Sequence, residues 1–169
     1  MPERETTEKA KEDLREGKSP STAAGEFVHE EIEHVREGKH GARSPQQAIA
    51  IGLSKARRAG VPLAAPAKGK TKESTRRGAE RDLQKGHSGQ DKEPSARASR
   101  ARQDVLKREP RSSASKRSLS SQAHSASERR SASDRKQAAD KAVRTKGKAE
   151  LREAGQKAAR TRSGKSAES

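Results

Sequence analysis

The uneven distribution of large apolar side chains most limits what this chain can fold into. Residues 1 to 66 hold ten large aliphatic or aromatic residues, including Phe27, and the remaining 103 residues hold only six. The mean hydropathy is −1.31 and aromatic residues make up 1% of the chain. Such a chain cannot bury enough surface along its whole length to offset the conformational entropy lost on folding. The sequence therefore predicts a small folded part near the N-terminus and excludes one large core.

Charge divides the chain at the same place. Residues 1 to 66 contain 11 Lys and Arg against 11 Asp and Glu, whereas residues 67 to 169 contain 29 against 13 and so carry the whole net charge of +16. Charge asymmetry of this kind is typical of an arm that binds nucleic acid or another anionic surface. The boundary is expected in the proline-containing segment VPLAAPAKGK, residues 61 to 70.

Composition also bears on the compartment. The chain has no cysteine, which excludes disulfides, thiolate nucleophiles and cysteine metal sites and agrees with a reducing environment. No apolar run approaches the roughly 20 residues of a membrane span. We therefore expect a cytoplasmic protein, associated with the nucleoid and without a membrane partner.

The first folded element is predicted to be a helix over residues 20 to 37. Ser19 is suited to cap it, Pro20 is tolerated at the first position because no amide hydrogen is needed there, and Gly38 is a typical stop. Residues 1 to 18 are expected to form a separate, charged helical segment. One side of the main helix carries acidic residues that are expected to face solvent: Glu26, Glu30, Glu33 and Glu37.

A second helix is predicted over residues 45 to 59. Ser44 and Gln47 have the spacing of a capping box. The two helices should form an antiparallel hairpin within residues 19 to 66, and Gly52 should let their backbones approach closely. The residues expected in the hairpin core are Val28, Ile32, Val35, Ile49, Leu53 and Ala56.

Ile51 does not fit a simple two-helix hairpin. It points about 200° away from Ile49 on a helical wheel, so one partner helix cannot cover both side chains. The N-terminal helix with Leu14 can cover Ile51, the segment at residues 61 to 63 can fold back over it, or it can lie at an interface. That interface would be with a second copy of the chain or with another protein.

Residues 26 to 60, EFVHEEIEHVREGKHGARSPQQAIAIGLSKARRAG, resemble the shared segment of a bacterial family of small basic proteins of unknown function. The hallmark of that family is a QAIAIGLSKAR-like run after a short basic loop that contains glycine. The resemblance implies a short helical unit and, because members are often described as DNA-binding, a role in DNA binding. It implies no catalytic residue. The basic tail of this chain is similar in kind to linker-histone-like and bacterial nucleoid-protein tails.

Residues 67 to 169 consist mainly of Ala, Ser, Lys, Arg and Gly. Several stretches favour helix, but helices of about 15 residues are marginal in water without packing. The expected fold class is therefore mainly α, with a short helical hairpin followed by a long, largely disordered or conditionally helical basic tail.

The tail predicts sequence-independent binding of nucleic acid through phosphate contacts, with double-stranded DNA favoured over RNA. The absence of Trp and Tyr removes the stacking surfaces that single-strand binders use. The cations expected to contact phosphate are Arg76, Arg77, Arg97, Arg100, Arg102, Lys107, Arg108, Lys116, Arg117, Arg129, Arg130, Arg135, Lys136, Lys141, Arg144, Lys146 and Lys148.

A second interpretation stays open. The hairpin can instead be a module for self-association or for docking a protein partner, with Ile51 as a candidate contact, and the tail can then serve as a tether or a solubilising segment. The salt dependence of nucleic-acid binding by the tail distinguishes the two, because phosphate contacts make affinity fall steeply with salt.

The sequence predicts no enzyme, no cofactor and no metal. HEEIEH, residues 29 to 34, resembles a metalloprotease helix only superficially, because His29 and His34 lie five positions apart and about 140° around the helix. A metal site completed by His40 stays open, although solvated polar positions account better for these residues. No pattern of a nucleophile with its base is present, so no catalytic residue is predicted.

Overall fold

The computed structural model describes residues 3 to 88 and 96 to 166, which are mainly helical and contain no β-strand. These residues form α1 (Arg4–Arg15), α2 (Pro20–Glu37), α3 (Pro45–Arg58), α4 (Glu73–Ser88), α5 (Ala96–Lys107), α6 (Lys116–Glu128) and α7 (Ala132–Ser166), with a 3-10 turn at Ser112–Ala114. The chain divides into two units, Met1–Gln122 and Ala123–Ser169. The mainly α prediction is confirmed. In the described residues no helix is long and apolar enough to cross a membrane.

Helices α2 and α3 begin and end through the local signals in the sequence. Ser19 Oγ accepts a hydrogen bond from the Thr22 amide at 3.4 Å, and Gly38 ends α2 in the left-handed region with φ of 80°. Ser44 Oγ accepts from the Gln47 amide at 3.3 Å. These contacts satisfy backbone groups that the ends of a helix otherwise leave without partners.

The first part of the core surrounds Phe27, which is fully buried on α2. Alanines of three helices pack with it, together with Val61 from the segment after α3. Leu14 of α1 and Leu63 lie at the edge of the same cluster. The N-terminal helix and the segment after α3 therefore both fold over the hairpin.

The second part of the core lies at the other end of α2, where Val35 packs with Ala42, Ala48 and Ala114. Ala114 belongs to the 3-10 turn, far along the chain. The loop between α2 and α3 is held there by backbone hydrogen bonds: the Gly41 amide donates to the Leu106 carbonyl at 2.8 Å, and the Ala42 amide donates to the Pro110 carbonyl at 3.1 Å.

Helix α4 packs against α3 through small and polar residues. Ser54 donates a hydrogen bond to Asp82 at 2.5 Å, and Arg58 Nε lies 3.6 Å from the same carboxylate. The backbone at Gly86 passes so close to the Arg57 carbonyl that a Cβ would overlap it. Ala79 is buried on the same helix.

These contacts correct the predicted fold of a hairpin followed by a long disordered tail. Most of the described residues beyond residue 67 are helical, and α4 and the turn at Ser112–Ala114 belong to a multi-helix bundle with α1, α2 and α3. The prediction was based on the positions of large aliphatic side chains. This bundle is instead joined by contacts of alanine, glycine and the backbone. Small residues bring backbones close together, so dispersion contacts form without large side chains.

The residues predicted for the hairpin core are buried to different extents. Val35 and Ala56 are fully buried, and the half-buried residues are Val28, Ile32, Ile49 and Leu53. Phe27, which that set omits, has the central position because α1 packs on its side of α2. The close approach expected at Gly52 is present, since a Cβ there would lie 2.7 Å from Val28 Cα.

Ile51 is half-buried and lies one turn before Ser54 on α3, on the face that α4 contacts. The element packed there is α4, whose composition alone assigns it to the basic tail.

The acidic side of α2 is also not wholly solvated. Glu30 is 6% exposed, accepts a hydrogen bond from the Glu3 amide at 3.0 Å and pairs with Lys55 at 3.2 Å. Burial acts to raise the pKa of the Glu30 carboxyl, but hydrogen bonds from the start of the chain and the charge of Lys55 outweigh it and lower that pKa overall.

Candidate nucleic-acid interface

Helix α7, Ala132–Ser166, begins at a reciprocal cap. Ser131 Oγ accepts from the Asp134 amide at 3.1 Å, and the Ser131 amide donates to the Asp134 carboxylate at 3.3 Å. Gly147 interrupts the helix with φ of 76° and ψ of 158°. Only glycine adopts this backbone conformation readily, so the kink is built into the sequence.

The charge of α7 is strongly positive. The helix carries 11 Lys and Arg against 4 Asp and Glu over its 35 residues, and each of these cations up to Arg160 is exposed. Val143 and Leu151 are only half-buried, so the helix has no continuous apolar stripe. A helix of this composition is held mainly by its own backbone and by side-chain pairs along it.

The cations of α7 do not lie on one face. Successive helical residues are about 100° apart, so Arg135, Lys136 and Arg144 point in three different directions. This arrangement presents positive charge around the helix. Cations in this arrangement can contact phosphates on more than one side of the helix. They do not form a single flat positive surface.

The other predicted phosphate contacts also lie mostly at the surface. Those on or directly after α5 are all exposed: Arg97, Arg100, Arg102, Lys107 and Arg108. Those at the start of α6 and between α6 and α7 are exposed as well: Lys116, Arg117, Arg129 and Arg130. The rest lie exposed on α7: Arg135, Lys136, Lys141, Arg144, Lys146 and Lys148. These side chains do not converge on a pocket, and each is reachable by a polyanion.

Arg76 and Arg77 are bound by acidic neighbours on α4. Glu73 pairs with Arg76 at 2.6 Å and with Arg77 at 3.1 Å, and Arg76 also contacts Glu80. Hydrogen bonds from these two arginines lower the pKa of the Glu73 carboxyl to about 2. A phosphate must compete with carboxylates at this site, so these two positions contribute less to binding than the predicted set assumes.

The predicted set also omits exposed cations in the second half of α7. Arg152, Lys157 and Arg160 are as exposed as the α7 cations that the set includes. The signal is present in the sequence, because KAELREAGQKAARTR is rich in Ala and Arg, as the stretches before it are. These cations lie on the part of α7 that follows the kink at Gly147, so they belong to the same candidate interface.

The one aromatic residue of the Phe, Trp and Tyr class takes no part in this interface. Phe27 is fully buried in the core. Proteins that bind single strands stack bases on exposed aromatic side chains. No Phe, Trp or Tyr side chain of this protein is therefore exposed for such stacking. The exposed chemistry is that of guanidinium and ammonium groups, which bind phosphate oxygens.

The exposed cations of the interface are chemically suited to bind phosphate polymers. Similarity to known proteins gives this interpretation no further support. The resemblance of residues 26 to 60 to a family of small basic proteins stays a prediction. Comparisons with protein-family models, with curated proteins and with solved structures found no match.

Proposed function

We propose that the protein binds double-stranded DNA without reading its sequence, as nucleoid-associated proteins do. Phosphate contacts of α7 carry the binding, and the exposed cations of α5 and α6 add to the attraction. One observation supports this most directly: a 35-residue helix exposes cations in all directions and lacks an apolar stripe. No catalytic step is part of the proposal.

The dimensions of α7 suit the major groove of duplex DNA. The helix before Gly147 is about 22 Å long at 1.5 Å per residue, and a major groove about 12 Å wide admits one α-helix. A helix in the groove has a phosphate backbone on each side, so cations on opposite sides of α7 can contact both strands. The kink at Gly147 lets the second half follow a different direction along the duplex.

Sequence readout is not part of the proposal. Direct readout uses side chains that make bidentate hydrogen bonds with base edges from one face of a recognition helix. The cations of α7 are spread around its axis, which favours contacts with the backbone. Affinity should therefore vary little between DNA sequences and strongly with salt.

The alternative, in which the hairpin docks a protein partner and the basic segment only solubilises it, has less support. The faces of α2 and α3 are occupied by α1, α4 and the turn at Ser112–Ala114. Ile51, the residue proposed for such an interface, is half-buried on the α4 side. Self-association through another surface is compatible with DNA binding.

The test compares two variants that each lose six positive charges. The first changes six cations of α7 to Gln: Arg135, Lys136, Lys141, Arg144, Lys146 and Lys148. The control changes six cations in the electrically neutral part to Gln: Lys9, Lys11, Arg15, Lys18, Lys39 and Arg43. Binding to a random-sequence duplex is followed by fluorescence anisotropy across a range of salt concentrations.

The slope of log K against log salt should fall by about 5 in the α7 variant, since each lost phosphate contact removes about 0.9. The control should keep a slope within about 1 of the unmodified protein. Equal losses in both variants would mean that only net charge matters and would reject α7 as the interface. No binding of the unmodified chain at low salt would reject the proposed function.

A further inference from the structure

Three side chains with metal-binding atoms meet beside the loop that joins α2 and α3. One donor atom each from Glu31, His34 and His40 lies within 4.8 Å of the other two. Glu31 and His34 are three residues apart on α2, so they share a face of that helix. The left-handed backbone at Gly38 turns the chain back. The hydrogen bond that the Gly41 amide donates to the Leu106 carbonyl fixes the loop.

The carboxylate of Glu31 is fully buried and incompletely satisfied. Lys55 Nζ lies 2.7 Å from Oε2, and His40 Nε2 lies 3.4 Å from Oε1. Neither oxygen accepts a hydrogen bond of acceptable geometry from the protein. Buried carboxylates are normally paired and hydrogen-bonded, because an isolated buried charge is costly. Lys55 supplies a countercharge on one side, and Oε1 faces His40.

His40 is oriented to offer a lone pair to this site. Its Nδ1 lies 3.0 Å from the Gly41 carbonyl oxygen, which can only accept, so Nδ1 carries the proton. The neutral ring then directs the unprotonated Nε2 at Glu31 Oε1. Two acceptors that face each other at 3.4 Å need a cation between them, either a second ring proton or a metal ion.

The second histidine is held in a similar way. His34 Nε2 lies 2.9 Å from Glu3 Oε1, which Lys39 Nζ also contacts at 3.1 Å. When Nε2 donates to Glu3, Nδ1 is the nitrogen left with a lone pair. A carboxylate or backbone carbonyl on the far nitrogen is the usual support for a histidine that ligates a metal. The rings of His34 and His40 meet edge to face, with centroids 6.2 Å apart.

We propose that Glu31 Oε1, His34 and His40 Nε2 bind one divalent transition-metal ion, with Zn²⁺ the best match. Two imidazoles and one carboxylate with a fourth position open form a known zinc ligand set, and imidazole ligands disfavour Mg²⁺ and Ca²⁺. Ligand atoms of tetrahedral zinc are roughly 3.3 Å apart for bond lengths of about 2.0 Å. The separation of Glu31 Oε1 from His40 Nε2, 3.4 Å, already matches this, and a ligand atom of His34 lies within 4.8 Å of both residues' ligand atoms.

The metal would join α2 to the loop that follows it and, through that loop, to the residues near Leu106 and Pro110. Its effect is then on the stability of the first unit. This inference does not depend on the proposed DNA binding, because no ligand lies on α5, α6 or α7.

The test uses the full chain after treatment with a chelator. Co²⁺ is titrated as a spectroscopic probe, and Zn²⁺ binding is measured by calorimetry. We expect one metal ion per chain, the visible absorption of tetrahedral Co²⁺, its loss on addition of Zn²⁺, and a higher melting temperature with Zn²⁺. His34→Ala and His40→Ala should each weaken binding more than about tenfold. The matched control is His29→Ala, since His29 lies on the same helix and outside the cluster.

The competing arrangement is a protonated His40 paired with Glu31. If ¹⁵N NMR shows the His40 ring unchanged by equimolar Zn²⁺, or if Co²⁺ gives no tetrahedral spectrum, the metal proposal is overturned. An equal loss of affinity in His29→Ala would also overturn it, because that would indicate binding to surface histidines. Circular dichroism of each variant establishes that the helices persist, so a lost site is not confused with a lost fold.

Discussion

At the scale of single residues, Lys55 balances two carboxylates that the fold removes from water. Its ammonium lies 3.2 Å from Glu30 and 2.7 Å from Glu31, which are 6% and 0% exposed. A buried ion pair adds little net stability, because the attraction between its charges is offset by the loss of their contacts with water. Removal of Lys55, however, leaves buried negative charge without a partner. The sequence alone indicates Lys55 only as a favourable charge near the end of a helix.

Lys55→Met should therefore lower the free energy of unfolding at pH 7 by about 3–5 kcal/mol. The folded-state pKa of Glu30 lies below its ordinary value of 4.5, so the stability that Glu30 contributes is present above that pH and is lost as pH falls through the folded pKa. The deficit of the variant should thus shrink in acid. Urea unfolding at pH 7 and near pH 3 checks both parts.

Lys11→Met serves as the control for this prediction. Lys11 pairs with Glu8 at 3.1 Å on the exposed side of α1, where water and salt screen such pairs and they contribute little to stability. A similar loss of stability in both variants would contradict the argument, because it would show that burial of the partners is irrelevant.

At the scale of elements, α4 depends on glycine for its position. The backbone of Gly86 lies against the Arg57 carbonyl, and Cβ addition would produce an overlap between two backbones. A Cβ added at Gly78 on the same helix would point into open space, with nothing within 4 Å. The two glycines thus differ in packing while sharing a helix.

Gly86→Ala should separate α4 from α3 and speed amide hydrogen exchange in residues 73 to 88, with a cost of about 1–3 kcal/mol. Gly78→Ala should slow that exchange or leave it unchanged, because alanine favours helix by about 1 kcal/mol over glycine. Exchange measured by mass spectrometry compares the two variants. Equal protection in both would show that the contact at Gly86 does not hold α4.

The elements also show which parts of the fold a sequence can predict. Helices α2 and α3 carry serine caps, prolines in the first turn and apolar spacing, and all of these signals are local. The docking of α4 through Asp82 and Gly86 depends on which surface lies opposite, and nothing in residues 73 to 88 alone specifies that surface. For the candidate metal cluster, the sequence pattern draws attention to His29 and His34 and leaves open a site completed by His40. The structure groups His34 and His40 with Glu31, and His29 is not among them.

At the scale of the whole molecule, the candidate DNA interface and the packed core differ in what stabilises them. Phe27 and Val35 are fully buried in the first unit, whereas the described residues of α7 include none that is buried. A helix without tertiary packing opens more readily than one in a core. Six of the cations that composition predicts as phosphate contacts lie on this helix, which has little tertiary packing.

Amides of α7 should exchange at least about tenfold faster than those of α2 in the free protein, because α7 opens without breaking a core. Saturating duplex DNA should slow exchange in α7 and leave α2 unchanged. Hydrogen exchange with and without DNA at low salt checks this. Slowing in α2 but not in α7 would place the interface on the other unit.

The hydrogen bonds that Gly41 and Ala42 donate to the Leu106 and Pro110 carbonyls have a consequence for biosynthesis. A nascent chain that has emerged only through α3 lacks the acceptors for these two amides and lacks Ala114 for the cluster around Val35. The hairpin therefore completes its packing only after residue 114 has left the ribosome. Closure of this unit therefore waits for residues 106 to 114, and a pause in translation before them would prolong the incomplete state.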